Sequence, residues 1–193
     1  MMDFAKNLFR ETIFDPAGAG RRIVALDIAP NTGWMLLGLA TVLNTLLFFA
    51  MSAMFPAPNA MPFVFLSVPW RVALTMFVAV AMSVVALYWS GRILDGKARF
   101  GDILAMIAWL QIMRVAVQVV TIVLSLVAPF IGALLAFGAG IYGIWILIQF
   151  VNVAQAYASI GKAVMNVILT MVALVMMLSL TLSFLGVAVT GVN

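Results

Sequence analysis

Residues 102–127 read DILAMIAWLQIMRVAVQVVTIVLSLV, and this stretch decides the fold. Wound as an α-helix at 1.5 Å per residue it is ~39 Å long, enough to cross a hydrocarbon core of ~30 Å with some tilt. Behind the leading Asp102 its one charge is Arg114, near the middle. At 100° per residue Gln111, Arg114, Gln118, Thr121 and Ser125 fall within an arc of roughly 80°, and Leu, Ile, Val and Met fill the remainder. Such a polar stripe predicts contact with protein or with a water-filled cavity, because lipid satisfies neither charge nor amide.

Composition fixes the class. The chain has 193 residues, 66% of them hydrophobic and 8% charged, with a mean hydropathy of +1.24. A soluble domain carries about 25% charge, so the chain reads as all-α, a polytopic membrane helix bundle. There is no Cys and no His, which excludes thiolate chemistry, disulfides, Cys/His zinc sites and axial-His haem and removes the usual general base. No enzyme activity, cofactor or metal is expected. The net charge of +4 sits in loops and gives no support to nucleic-acid binding. The opening MMDFAKNLFRE lacks the continuous apolar core of a signal peptide, so a retained N-terminus is expected.

Residues 1–33 form a charged N-terminal segment. Phe4, Leu8, Phe9 and Ile13 recur at helical spacing against Asp3, Lys6, Arg10 and Glu11, which predicts a short amphipathic helix lying in the cytoplasmic interface. Asp15-Pro16 is expected to end it, Ala17 to Gly20 to form a flexible link, and Pro30-Asn31-Thr32-Gly33 to turn the chain toward the membrane. Residues 34–193 then read as a five-span membrane domain, with spans at about 34–55, 70–90, 102–127, 130–158 and 163–189. The proline-rich connection from Pro56 to Pro69 is uncharged and is expected to dip into the interface. In the fourth span Gly132, Ala136 and Gly140 are spaced by four, as are Ala139 and Gly143, a pattern that lets helices approach closely.

Basic residues set the orientation. Lys6, Arg10, Arg21, Arg22, Arg92, Lys97, Arg99 and Lys162 all fall on one side of the five spans, and Arg71 alone falls on the other. The positive-inside tendency then predicts a cytoplasmic N-terminus and an outside C-terminus. Arg21, Arg22, Arg92, Lys97 and Arg99 are candidates for holding lipid headgroups, or serve only as topology signals.

With its surface segment, five spans and the glycine-basic loop Asp95-Gly96-Lys97-Ala98-Arg99-Phe100-Gly101-Asp102, the chain resembles the Yip1 domain family of integral membrane proteins. The resemblance also rests on Asn7-Leu8-Phe9, Asp15-Pro16, Arg21-Arg22-Ile23, and Ala156-Tyr157-Ala158 before Lys162. It implies a five-span membrane protein of the bacterial type, placed in the inner (plasma) membrane. The DLYGP segment of eukaryotic members is absent, so their Rab GTPase binding is not carried over.

The most specific constellation is a polar layer. Counted from the presumed cytoplasmic ends, Asn44, Arg114 and Gln149 each lie roughly 15–18 Å deep, with Gln111, Gln118 and Asn152 on the same arcs. Apart from Asp102 at the entry of the third, no span holds Asp or Glu, so Arg114 is satisfied either by amides, helix carbonyls and snorkelling, or by an anionic ligand or partner. The Gly18–Gly20 and Gly138–Gly140 runs lack the context of a phosphate loop. Asp95 and Asp102 among Arg92, Lys97 and Arg99 read as a solvated ion-pair cluster. Trp34, Trp70 and Trp89 fall at span ends as an interfacial belt, and the 14 Met residues read as adaptable packing. Two functions remain open. One is a non-enzymatic scaffold or accessory protein that organises membrane lipids, other membrane proteins or its own copies. The alternative is a transporter or lipid-translocating protein with an anion or headgroup site at Arg114.

Overall fold

The computed structural model describes residues 2–54 and 68–184. Among them there are seven helices: α1 Met2–Phe14, α2 Pro16–Ala25, α3 Pro30–Met54, α4 Pro69–Ile93, α5 Phe100–Val127, α6 Pro129–Ala154 and α7 Ile160–Phe184. Helices α3 to α7 are each long and apolar enough to cross a membrane. The chain is therefore an integral membrane helix bundle preceded by short N-terminal helices, as its composition predicts. The Pro56–Pro69 connection and the end of the fifth span lie largely outside the described residues.

Prolines punctuate this architecture from inside the helices. Pro16, Pro30, Pro69 and Pro129 are each the first residue of a helix, where the missing N–H would have no partner and the fixed φ suits the first turn. Two sequence expectations fail for this reason. Residues 17–20 are not a flexible link but the first turn of α2, held by Asp15, whose Oδ1 accepts the Gly18 N–H at 2.9 Å. Pro30 to Gly33 is likewise not a turn but the start of α3. Gly33 lies against Leu104, where an added Cβ would come within 2.9 Å of the leucine side chain.

Helices α2, α4 and α6 end on residues with positive φ that are not glycine: Asp27 (46°), Asp95 (62°) and Ala156 (52°). After α4 the Gly96 N–H reaches Gly91 O at 2.8 Å, and after α6 the Tyr157 N–H reaches Asn152 O at 3.1 Å. These bonds satisfy carbonyls that a helix C-terminus leaves open. They also stop α6 at Ala154, four residues short of the expected end at 158.

Helix α5 is the hub and packs against α2, α3, α4 and α6. From Asp102 to Ala108 every residue is buried, so this segment is enclosed on all sides rather than along one stripe. The core around it draws Leu8, Ala19 and Ile23 from the N-terminal helices, Leu37, Leu87, Phe150 and Val151 from the spans, and Ala163 and Val167 from α7. All of these lie toward the end of the bundle that carries α2, the α4–α5 loop and the α6–α7 loop, here termed the loop end. Toward the other end Val119, Val123 and Leu126 of α5 and Phe130, Leu134 and Phe137 of α6 are exposed, as lipid-facing surfaces are.

Candidate functional site

The loop end is tied together by a side chain that sequence reading passed over. Gln155 is 1% exposed. Its Oε1 accepts the Ala98 N–H at 3.2 Å, its Nε2 donates to Leu87 O at 3.3 Å, and its carbonyl accepts the Lys97 N–H at 3.0 Å. One amide thus pins the α4–α5 loop to the end of α6. Gly91 and Gly96 make room for it: a Cβ at either would lie within 2.7 Å of the Gln155 side chain. This is the physical reason for glycine at both positions, one in the last turn of α4 and one in the loop that follows, where a side chain would displace the amide.

A second polar knot lies beside it. The Ser90 hydroxyl donates to Asn166 Oδ1 and lies 2.9 Å from the Thr170 hydroxyl. Asn166 Nδ2 donates to the Tyr157 hydroxyl at 3.0 Å, and that hydroxyl donates to Gly91 O at 3.3 Å. Burial pushes the Tyr157 phenol above its ordinary range, against the opposing pull of the Asn166 hydrogen bond. Asn166 and Thr170 lie in the fifth span, where the sequence singled out no polar residue, and the signal for them was their spacing of four.

The basic residues of the loop end are mostly paired. Arg22 meets Glu11 at 3.0 Å and lies over the Phe4 ring, and Arg21 faces Asp15 at 3.8 Å. Arg99 bridges Asp27 at 2.8 Å and Asp102 at 2.9 Å, joining the α2–α3 link to the start of α5. The Asp102 hydrogen bond, with its charge and that of Asp27, raises the Arg99 pKa further above its ordinary value. Arg92 donates to the Tyr88 hydroxyl at 3.1 Å, and Lys162 reaches Asp95 at 4.0 Å. The Asp95 and Asp102 carboxylates thus lie in ion pairs. The exposed pairs, Arg21–Asp15, Arg99–Asp27 and Lys162–Asp95, contribute only about 0–1 kcal/mol each, so their role is to fix geometry. Lys6, Arg10 and Lys97 are exposed and have no such partner among the described residues.

The mid-membrane layer does not assemble as one cluster. Asn44 is buried and its Nδ2 donates to Ala40 O at 2.8 Å and to Gln111 O at 3.3 Å, so it links α3 to α5 through backbone. Arg114 is exposed, and no hydrogen bond joins it to Asn44 or Gln149 among the described residues. The buried oxygens Asn44 Oδ1, Gln118 Oε1, Thr121 Oγ1 and Asn152 Oδ1 have no hydrogen-bond partner among the described residues. Equal depth along separate helices produced no hydrogen bond between Arg114 and Asn44 or Gln149, because depth leaves the rotation of each helix unspecified.

The small residues of α6 divide as well. Gly132 sits against Ser125 of α5, where a Cβ would be 3.0 Å from the Ser125 backbone nitrogen. At Gly138, Gly140 and Gly143 an added Cβ would meet nothing within 4 Å, and Ala136 is exposed. Within a single chain the close approach is made at Gly132, while the rest of the pattern faces outward.

These features define an all-helical integral membrane protein whose charged loops are knitted to its buried end and whose loop-end carboxylates Asp27, Asp95 and Asp102 stand as ion-pair partners. The Yip1 domain model matches residues 10–183, and the chain belongs to the Yip1 domain family. No curated protein matches the chain, and no solved structure matches it.

Proposed function

We infer that this Yip1 family member is a non-enzymatic scaffold or accessory protein that organises lipids and membrane-protein partners. It works from the bacterial inner membrane with its N-terminus cytoplasmic and its C-terminus outside. The observation that carries this reading is the outward face of α6, where Ala136 and Gly140 lie exposed and a Cβ added at half-buried Gly143 would meet nothing within 4 Å, among exposed Phe137, Ile141 and Ile144. A helix that offers small residues to the membrane lets another helix approach to backbone distance, where packing and weak Cα–H hydrogen bonds reward contact. The absence of His and Cys from the sequence and the ion pairing of Asp95 and Asp102 agree with a role without chemistry.

The cysteine-free sequence makes the test clean. Single Ala136→Cys and Gly140→Cys variants oxidised in native membranes should form cross-linked dimers or adducts with other membrane proteins, and Gly140→Leu should release the same partners. An uncross-linked chain, with Gly140→Leu indistinguishable from wild type in size and partners, would refute the reading. The alternative, a transporter or lipid-translocating protein, is favoured by the absence of any carboxylate partner for Arg114 among the described residues, which leaves its charge open to an anion. It requires Arg114→Met to abolish stabilisation by anionic lipid.

A further inference from the structure

The corner between α1 and α2 carries a groove of about 410 Å³ lined by Asn7, Arg10, Glu11, Phe14, Asp15 and Arg22. We propose that it binds the headgroup of a phospholipid bearing a primary ammonium, of the phosphatidylethanolamine class, with the phosphate on Arg10 and the ammonium on Asp15. The proposal relies on the five spans being embedded in a membrane and not on the scaffold role.

The corner is placed by its contacts. Gly20 of α2 lies against Phe150 and Val153 of α6. The Tyr142 hydroxyl donates to Ile13 O at 2.5 Å, and the Trp109 indole donates to the Thr12 hydroxyl at 2.9 Å. From Val153 to Tyr142 is ~16 Å along α6, and the helix of ~39 Å exceeds a ~30 Å hydrocarbon core by ~9 Å. With that excess at the loop end, the corner lies within roughly 10 Å of the edge of the hydrocarbon, the depth that interfacial helices reach. Phe14, beside the groove, is 79% exposed and is placed to meet the first carbons of an acyl chain.

The charges select the headgroup. Among the lining residues Arg10 and Arg22 balance Glu11 and Asp15, so the groove is neutral overall. Arg22 is committed to Glu11 at 3.0 Å and to the Phe4 ring, which leaves Arg10 as the cation without a partner among the described residues. Asp15 Oδ1 is held by the Gly18 N–H at 2.9 Å. Among the described residues its Oδ2 has only the long contact to Arg21 at 3.8 Å, with the Asp15 side chain 61% exposed. One open cation and one open carboxylate oxygen in a neutral groove match a zwitterion. A lipid with net negative charge would place its phosphate beside Glu11 and Asp15 as well as Arg10. A choline headgroup has the charges but no N–H to donate to Asp15, and charge-assisted hydrogen bonds are the stronger kind.

The test uses the full chain in detergent, with melting followed by fluorescence of its five Trp and bound lipid counted by native mass spectrometry. Dioleoyl phosphatidylethanolamine, phosphatidylcholine and phosphatidylglycerol are titrated in parallel. Phosphatidylethanolamine should raise the melting temperature most. Arg10→Gln and Asp15→Asn should each raise its half-saturating concentration about tenfold or more, the loss of one charged hydrogen bond. Asn preserves the N-cap of α2, so Asp15→Asn should melt as wild type without lipid. Equal stabilisation by phosphatidylcholine, greater stabilisation by phosphatidylglycerol, or full retention of the phosphatidylethanolamine effect in either variant would each overturn the proposal. Cross-linking at Gly140 does not involve this corner, so failure of one idea leaves the other testable.

Discussion

Gly91→Ala sets two known effects against each other. Gly91 lies inside α4 without a left-handed φ, and by propensity alone Ala should stabilise such a position by about 1 kcal/mol. The new Cβ, however, would fall 1.8 Å from Gln155 Nε2 and 2.4 Å from its Cδ. Gln155 is flexible chemically but enclosed, and moving it breaks its bonds to Ala98 N–H and Leu87 O. Each buried group left unpaired costs about 1–3 kcal/mol, so the loss of about 2–6 kcal/mol exceeds the propensity gain. A net destabilisation of about 2 kcal/mol should lower the melting temperature by about 4–8 °C for a chain of this size, read from tryptophan fluorescence in detergent. Gln155→Ala alone should destabilise too, but Gly91→Ala added to it should cost nothing more, since the obstruction is gone; the two changes must be non-additive. A Gly91→Ala protein that melts at or above the wild-type temperature, or strict additivity in the double variant, would refute the reasoning.

Ala156→Gly should raise the melting temperature, because a left-handed conformation costs an L-residue about 1–2 kcal/mol that glycine escapes; an unchanged or lower value would show that Ala156 is not strained. Arg114→Met should leave thermal stability level or raise it in neutral detergent, since it removes an unpaired charge from an apolar setting, and a marked loss there would point to a structural partner. The phenol of Tyr157 is harder to ionise in the folded chain than in the unfolded one. Its contribution is therefore intact below the ordinary tyrosine pKa of about 10 and is lost as pH rises through that value toward the raised one. Tyr157→Phe should consequently show a shallower fall in melting temperature between about pH 9 and 11 than wild type, and parallel pH profiles would exclude this origin.

Much of the architecture was legible in the chain because membrane spans are written as length and hydropathy, which are local properties. Apolar runs long enough to cross a bilayer mark α3 to α7 without reference to one another, and the Yip1 resemblance carried by the Asp95–Asp102 loop and the N-terminal motifs agrees with the family match. Local reading was less reliable at boundaries. Pro16 and Pro30 interrupt a sequence whichever side of them the helix lies, and only the capping contact of Asp15 and the packing of Gly33 on Leu104 show that each begins one. The polar residues were the least legible, since depth along a helix says nothing about rotation or about where neighbours crowd together. Arg114 and Gln149, equal in depth, share no hydrogen bond, whereas Gln155, which the sequence did not single out, joins α4, the following loop and α6. By itself the sequence determined how many helices cross and which residues repel lipid, because transfer of a side chain from water to hydrocarbon depends on that side chain. Which polar atoms meet was decided by tertiary structure alone, because a hydrogen bond requires two groups within about 3 Å, and chain-distant pairs such as Ser90 with Asn166 reach that distance only when the helices that carry them pack.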